Sequence, residues 1–547
     1  MYPASDRFFQ AIQGAHRAMV VVKAMSIDGR AYNIPISSGS VKIDRTSADV
    51  RRTCQIVVND ARFVPKEATD PLNIYGNHLY IYRGVIWNTA TIGNDLWNAP
   101  PPLSKALLAP DNLSYELVPL GVFRIVETNM SEDTDGNVTI EVTGSDISSN
   151  IAKNSWTSPV TVWTSVYNVP VPKHKVTAKT AKNPTPQPAP IPEQHYVAQT
   201  VQEAIKLLIN DRWGQGKKSV FGQPQFNFSG VADHPLARPI IMGSTTVSTS
   251  GSNSPWTDIT GLASSLGAEL YIDATGAFTL RPLPDPNTIP PVWDYFDGDG
   301  GMLTNASRKM DSSKAVNYVI ATGENTGAKT PLLAKAVDAD PSSPTYFMGE
   351  FGRVVGREPG RKRLTTQAQV QNAADTYLNW FVGGEESVNI EGVVNPALDT
   401  GDVIRVRRRR LGIYRKGTVF GELSHDLLSG TTVSQLLMSP TEIPLTAGEF
   451  IMIHSVASTD VIKVLHNYPV GSTTISVEPF SPSSHYRKGA IVIDPKDSSN
   501  AGSSNHYIDS MTISLDLESP IQITARERRV GTKRDAIRIA EYSTGYQ

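Results

Sequence analysis

The chain returns repeatedly to one pattern: a short run of β-branched residues, broken by polar ones and closed off by Gly, Asn or Asp. It occurs in AMVVVKAM (Ala18 to Met25), GSVKIDR (Gly39 to Arg45), TCQIVVND (Thr53 to Asp60), HLYIYRGVIW (His78 to Trp87), ELVPLGVFRIVETNM (Glu116 to Met130) and NVTIEVTGSD (Asn137 to Asp146). Such runs are too short and too branched for long helices, and their turn residues punctuate them as strands. With 41 glycines and 38 prolines the chain is rich in turns, which favours sheets joined by loops over helical bundles. Residues 19 to about 155 read as one mostly antiparallel β domain, and the expected fold class is α+β, predominantly β.

Helical spacing is confined to a few places. Phe8, Phe9, Ile12 and His16 predict an amphipathic helix within residues 5–18. Val201, Ala204, Ile205, Leu208 and Ile209 predict one over Thr200 to Gly214, with Thr200 as its cap. Trp256, Ile259, Leu262, Ala263 and Leu266 predict a third, stopped by Gly267 and followed by a hairpin turning at Asp273 to Gly276. Val370, Ala373, Ala374, Tyr377 and Leu378 predict a fourth.

At 547 residues the chain is long enough for about three to five domains. The proline-alternating stretch from Val169 to Gln194 has no periodic core and reads as a link or long surface loop. The expected division is 1–168, an N-terminal helix and first β domain; 169–194, the linker; and 195–300, a helix and hairpin unit. Residues 301–413 form a second α/β region leading into a second β domain. Residues 414–500 form a β insertion, and 501–547 complete the second β domain and add a basic tail. The insertion is expected because YIDSMTISLDLESPIQITARERR (Tyr507 to Arg529) resumes the alternation that GDVIRVRR begins.

Fifty-one basic against fifty-three acidic residues give a net charge of −2, so the chain as a whole does not advertise polyanion binding. Against that background the run Arg407, Arg408, Arg409, Arg410 stands out, with a second basic patch from Arg526 through Arg528 and Arg529 to Arg538. A strand sends successive side chains to opposite faces, so the run cannot form a one-sided phosphate-binding stripe, and no aromatics are interleaved to stack bases. Ion pairing with acidic protein neighbours in an assembly is the simpler expectation for Arg407 to Arg410 and for Arg526, Arg528 and Arg529.

Catalytic and metal signatures are sparse. Neither GxSxG, GxxxxGK[ST] nor GxGxxG occurs, so no catalytic residue is nominated and the chain is expected not to be an enzyme. Asp294, Asp297 and Asp299 lack the further oxygens and closing glutamate of a calcium loop, and read as a polar turn. His454, His466, His485 and His506 lie near one another in sequence without metal-ligand spacing. No metal or cofactor is expected. The single cysteine, Cys54, sits in TCQIVV and reads as a buried strand residue. No apolar run reaches the roughly 18 residues that cross a bilayer, so a soluble chain made in a cytoplasm is expected.

Several phrases in order along the chain resemble the tail hub, or baseplate hub, proteins of long-tailed bacteriophages, especially minor tail proteins of phages infecting actinobacteria. They are SGSVKIDRTSADVRRTCQIVVND (Ser38 to Asp60), ELVPLGVFRI (Glu116 to Ile125), VTIEVTGSD (Val138 to Asp146), WTDITGLASSLGAELYIDATGAFTLRP (Trp256 to Pro282), VVNPALDTGDVIRV (Val393 to Val406) and Tyr507 to Arg529. The resemblance implies two tube-like β domains alternating with smaller α/β domains, in a homotrimer that terminates the tail tube at the virion's tail tip. It implies distal-tail or tail-tube rings as partners, together with tip, fibre or receptor-binding proteins and the tape-measure protein. DNA is met only in passage, and most of Arg407 to Arg410 are expected to face protein and not the channel. Two other readings stay open. One is an envelope-directed carbohydrate-binding protein or cell-wall hydrolase, with Trp87, Trp97, Trp156 and Trp163 as candidate sugar contacts. The other is a tail-tube or distal-tail ring protein.

Overall fold

The structure, a computed structural model, describes residues 1–14, 16–46, 50–87, 94–109, 114–156, 160–163, 194–213, 222–236, 240–242, 254–282, 289–296, 302–311, 315–323, 331–341, 343, 345–357, 366–381, 385–408, 419–441, 443–454, 459–486, 488, 490–493 and 504–527. The protein is α+β and predominantly β.

Helix α1 (Asp6–Gln13) opens the first unit. It is shorter than the spacing predicts: Ser5 caps its start, Gly14 leaves the helix in extended geometry, and His16 lies beyond it with Nδ1 3.0 Å from the Gly14 carbonyl. Seven strands follow: β1 (Arg17–Met25), β2 (Ala31–Asn33), β3 (Ser38–Asp44), β4 (Arg52–Val58), β5 (His78–Ile86), β6 (Tyr115–Glu132) and β7 (Val138–Asp146). The excursion between β5 and β6 carries α2 (Asn94–Asn98) and α3 (Lys105–Leu108). These short helices explain why β5 reads as a continuous apolar run. One face of β5 joins the main core through Leu79 and Ile81, while the other packs Tyr80 and Tyr82 against Leu96, Leu103 and Leu108. Buried Lys23 fixes the excursion by donating to the carbonyls of Leu96 (2.7 Å), Trp97 (3.1 Å) and Ala99 (2.6 Å).

Helix α4 (Ser149–Ala152) leads into a middle unit of β8 (Val160–Trp163), β9 (Gln194–Val197), α5 (Val201–Arg212), β10 (Phe226–Asn227), β11 (Ile240–Met242), α6 (Pro255–Ser265), β12 (Ala268–Ile272) and β13 (Phe278–Pro282). The stripes on α5 and α6 bury Ile205, Leu208, Ile259 and Leu262 against Leu270, Phe278 and Leu280 of the β12–β13 hairpin. Thr200 caps α5 through the Glu203 N–H at 3.3 Å.

The second unit begins with β14 (Pro291–Phe296) and β15 (Leu303–Asp311), and is interrupted by a small α/β body. That body comprises β16 (Tyr318–Gly323), β17 (Leu332–Val337), β18 (Val355–Arg357) and α7 (Gln367–Phe381), whose Val370, Ala374 and Leu378 pack on one sheet face. The chain returns through β19 (Glu385–Gly392) and β20 (Val403–Arg407). It then leaves for β21 (Val419–Glu422), β22 (Val433–Leu437), β23 (Phe450–His454), β24 (Thr459–Lys463), β25 (Thr474–Phe480) and β26 (Ile491–Ile493). Strands β27 (Ser504–Ser514) and β28 (Ile521–Glu527) complete the second unit.

The six inserted strands form a closed ring. Sheet order β21-β26-β23-β24 is joined to β22-β25 by the bridges Val464↔Val477 and Leu423↔Met438, one at each side, around a core that includes Leu436, Ile451, Ile453, Ile462 and Val492.

The two larger units share one 13-stranded sheet, running β15-β19-β28-β27-β3-β4-β7-β6-β5-β1-β2, with β20 beside β27 and β14 beside β20. Their junction is the antiparallel ladder from Ser510↔Asp44 to Ser514↔Ser40. One core runs beneath both, from Ile56 and Val142 in the first unit to Trp293, Val388 and Ile523 in the second.

Cys54 lies in that core, and burial pushes its thiol pKa far up. A thiol reagent is therefore expected to label none of the native protein and one cysteine per chain after denaturation. Stoichiometric labelling under native conditions would place Cys54 elsewhere.

Candidate assembly surface

From β7 to β15 the sheet alternation leaves one face apolar and the other wet, and the register keeps the wet residues in line from strand to strand; on β6, β5 and β1 the second face is instead covered by the α2–α3 excursion. On β3, Val41 and Ile43 are buried while Lys42 is exposed. On β4, Cys54, Ile56 and Val58 point to the core and Thr53, Gln55 and Val57 away. Lys42 pairs with Thr53 and Thr512, Thr512 with Gln522, Gln522 with Glu391, and Glu391 with Asn305. A parallel row joins Thr143, Gln55, Ser40 and Ser514. The same face thus crosses both units without a step, and between β15 and β3 it holds a shallow trough of about 390 Å³ that touches Lys42, Asn305, Asn389, Ser510 and Gln522.

Hydroxyls and amides dominate this face, and its cations Lys42 and Arg526 are paired with carboxylates. Lys42 lies 3.4 Å from the Asp44 carboxylate, and Arg526 grips Asp509 with both arms of its guanidinium, Nη2 to Oδ1 at 2.8 Å. Glu391 and Glu141 add negative charge.

Beneath the weld lies a charged junction that holds the middle unit to both β units. Glu269, on β12, receives Arg45 at 2.9 Å, Arg281 at 2.9 and 2.5 Å, and Arg51 at 3.6 Å. Arg51 also donates to the Thr400 hydroxyl and carbonyl at 2.8 to 3.0 Å, and its guanidinium lies 4.1 Å above the Tyr271 ring. Arg52 donates to the Leu120 carbonyl (3.0 Å), the Ile272 carbonyl (3.3 Å) and Asp399 (2.7 Å). Arg45, Arg51 and Arg52 lie at the β3 and β4 ends in the first unit, Glu269 and Arg281 on the middle hairpin, and Asp399 and Thr400 just before β20, so the junction draws on all three units. Burial alone would raise the Glu269 carboxyl. The Arg51, Arg45 and Arg281 charges outweigh it and hold the pKa at about 2. Burial likewise opposes ionisation of Asp399, and Arg52, Arg51 and Arg281 keep it below the ordinary carboxylate range. Gly401 makes the approach possible: its φ is +93°, and a Cβ there would collide with the Arg281 guanidinium.

The arginine run divides. Arg405 forms a buried pair with Asp294, Nε to Oδ1 at 2.5 Å and Nη2 to Oδ2 at 2.6 Å, so Asp294 serves the sheet interior. Arg407 is only 2% exposed; it lies 4.8 Å over the Phe296 ring and 3.5 Å from Glu422 at the end of β21. Its acidic partner is thus in its own chain, and it ties the inserted barrel to the sheet. Arg408 is half-buried, and Arg409, Arg410, Arg528 and Arg529 lie outside the described residues, as do Asp297 and Asp299. Among the described residues no group of three His, Cys, Asp or Glu side chains could hold a metal ion, and no helix is long and apolar enough to cross a membrane.

The tryptophans have separate surroundings. Trp156 is buried and donates to Asp258 at 2.8 Å, Trp87 lies under Arg7 at 4.6 Å, and Trp97 is 39% exposed. The side chain of Trp163 is outside the described residues. Sequence reasoning did not single out Arg45, Arg51, Arg52, Glu269 or Arg281. The cue available was the doubled Arg51-Arg52 opening an otherwise apolar strand, which a solvated position does not need.

No protein-family model matches the chain, and no curated protein matches it. Among solved structures it is similar to a tail protein from Neisseria meningitidis MC58, at 10% identity over 93% of this chain and 96% of the other, with a TM-score of 0.46. It is also similar to the 43 kDa tail protein of prophage MuSo2 from Shewanella oneidensis, at 10% identity over 93% and 98%, TM-score 0.45. A third is prophage tail protein gp18 from Listeria monocytogenes EGD-e, at 8% identity over 92% and 94%, TM-score 0.40.

Replacing Glu269 by Gln leaves three guanidiniums facing one another and is expected to cost about 3 to 5 kcal/mol in chemical denaturation. The sign with pH follows from the depressed value of about 2. Wild-type stabilisation from Glu269 is complete above the ordinary glutamate pKa and is lost as pH falls toward 2, and E269Q lacks this acid-dependent component. Equal stability and equal pH dependence of the two proteins would remove Glu269 from the junction.

Proposed function

We propose that this chain is a structural protein of a bacteriophage tail, a hub at the tail tip in which three copies close a ring and the wetted sheet face lines the channel. The observation that carries the reading is the fusion of two β units into one sheet through β3 and β27, with the polar rows running across the weld. One chain supplies two arcs, so three chains supply six, which fits a threefold tip to a sixfold tail ring. The ordered hub-like phrases from Ser38 to Arg529 support the same assignment. In this reading strands β1 to β7 supply the first arc, and the second is divided among β14 and β15, β19 and β20, and β27 and β28. The inserted barrel stands clear of the channel, where tip, fibre or receptor-binding proteins attach. The role is one of geometry and not of turnover.

Each phosphate held by a fixed cation releases counterions and adds affinity, so a channel that passes DNA needs few unpaired cations. A hydroxyl and amide wall with Lys42 and Arg526 neutralised meets that need. Electron microscopy of intact particles, or of the purified chain assembled with its tail rings, is expected to count three copies with Gln55, Thr512 and Gln522 facing the axis. Six copies in a ring would assign a tube or distal-tail role, and an outward wet face would overturn the channel reading. In particles, the triple substitution Gln55→Arg, Thr512→Arg and Gln522→Arg is expected to slow DNA release in a salt-dependent way without reducing particle yield. Release at the wild-type rate would separate this face from the DNA path.

A further inference from the structure

The small body of β16, β17, β18 and α7 carries its helix on one sheet face only. Across the other face the register builds three rows: Val337-Tyr318-Val355, Lys335-Ile320-Arg357, and Leu333-Thr322. The first row is partly roofed by the returning chain, where the Arg353 guanidinium lies 5.5 Å over Tyr318 and 5.9 Å over Phe347. The rest of the face is open: Leu333 is 47% exposed, Val355 at the far end of the first row is 49% exposed, Arg357 is exposed, and Ile320 and Lys335 are half-buried.

Among the described residues of these rows the charged side chains, Lys335 and Arg357, are both basic, as is Arg353 above them. Lys335, Arg353 and Arg357 form no ion pair with any described residue, in contrast to the buried guanidiniums elsewhere in the protein. Two strand spacings separate Lys335 from Arg357, about 10 Å between backbones, with aliphatic Ile320 between them. Arg353 is prearranged by its two rings, so little side-chain freedom remains to be lost on binding.

We infer that this face is a docking site for an acidic, aliphatic segment of a partner protein, with carboxylates meeting Lys335 and Arg357 and apolar side chains covering Ile320, Leu333 and Val355. Nucleic acid fits the surface less well. Phosphates make no use of the aliphatic rows, and Tyr318, already covered by Arg353, offers no free ring for base stacking. The site is separate from the wetted face of the large sheet and does not depend on the tail reading.

The test uses the full-length chain and three fluorescent probes: a short peptide alternating Asp and Leu, the same peptide with Asn for Asp, and a short DNA duplex. Anisotropy at low ionic strength is expected to show the acidic peptide binding, with the amide peptide weaker by about tenfold or more through loss of two ion pairs. The double variant Lys335→Glu, Arg357→Glu is expected to lose a similar factor for the acidic peptide, with its melting temperature unchanged. Equal binding of the two peptides, no effect of the double variant, or duplex DNA displacing the acidic peptide at equal charge concentration would each overturn the proposal. The peptide comparison requires no variant, so it decides even where charge reversal disturbs folding.

Discussion

The architecture depends on one ladder, the antiparallel pairing of β3 with β27. It joins residues more than 450 positions apart in the chain and converts two β units into one sheet with one core. The backbone continues the weld at both ends, where the Leu515 N–H donates to the Gly39 carbonyl at 2.8 Å and the Arg45 N–H to the Asp509 carbonyl at 2.9 Å. Arg83, buried on β5, reaches across to the Ser514 and Asp516 carbonyls. An edge strand of either unit alone would present a row of unpaired amides. Each unit covers the other's edge, and polar alternation then has to stay in phase on both sides, because a one-residue slip would turn Lys42, Thr512 and Gln522 into the core.

Charge is distributed according to the same division. Where the units and the middle hairpin meet out of water, guanidiniums and carboxylates are concentrated and matched, Glu269 with three arginines and Arg52 with Asp399, and within the second unit Arg405 is matched with Asp294 on the adjacent strand. Such pairs repay desolvation only when geometry is good and the remaining donors are satisfied. Arg51 and Arg52 meet that condition by using the Thr400, Leu120 and Ile272 carbonyls as well. Their value is therefore specificity of docking, since a shifted middle unit would leave several charges buried without partners. On the wet face the opposite holds, and the few charges are neighbours in sequence or on adjacent strands.

Local structure was legible wherever one short segment contains its own signal. Alternation in TCQIVV, the Thr200 cap, and the Asp273 to Gly276 turn each fix an element from a few side chains, and the predominantly β class follows from their sum. What alternation alone left open was which distant strand each segment meets. Pro291 to Phe296 pairs in parallel with Val403 to Arg407 across more than 100 residues, and nothing in either phrase names the other. The charged junction was hidden for the same reason, since Arg45, Glu269 and Thr400 become neighbours only after three separate units have docked. Alternation did limit the arginine run to two faces, but it could not identify Glu422, in the inserted barrel, as the partner of Arg407.

The barrel and the large sheet handle their edges differently, and that difference bears on where assembly acts. Among the described residues the barrel's two sheets are bridged at both sides, by Leu423↔Met438 and Val464↔Val477, which leaves little edge for strand addition and favours contact through side chains. In the large sheet, β15 pairs among the described residues on one side only, with β19, and carries Arg308 and Lys309 where a bare hydrophobic edge would invite uncontrolled pairing. The short β2, three residues long, covers only the Lys23 to Met25 end of β1. In the ring proposed above, the large sheet's edges are where neighbouring chains would meet, and the barrel would remain outside the hydrogen-bonded wall. Arg407, clamped between Phe296 of the sheet and Glu422 of the barrel, is the point where the two regimes are mechanically joined.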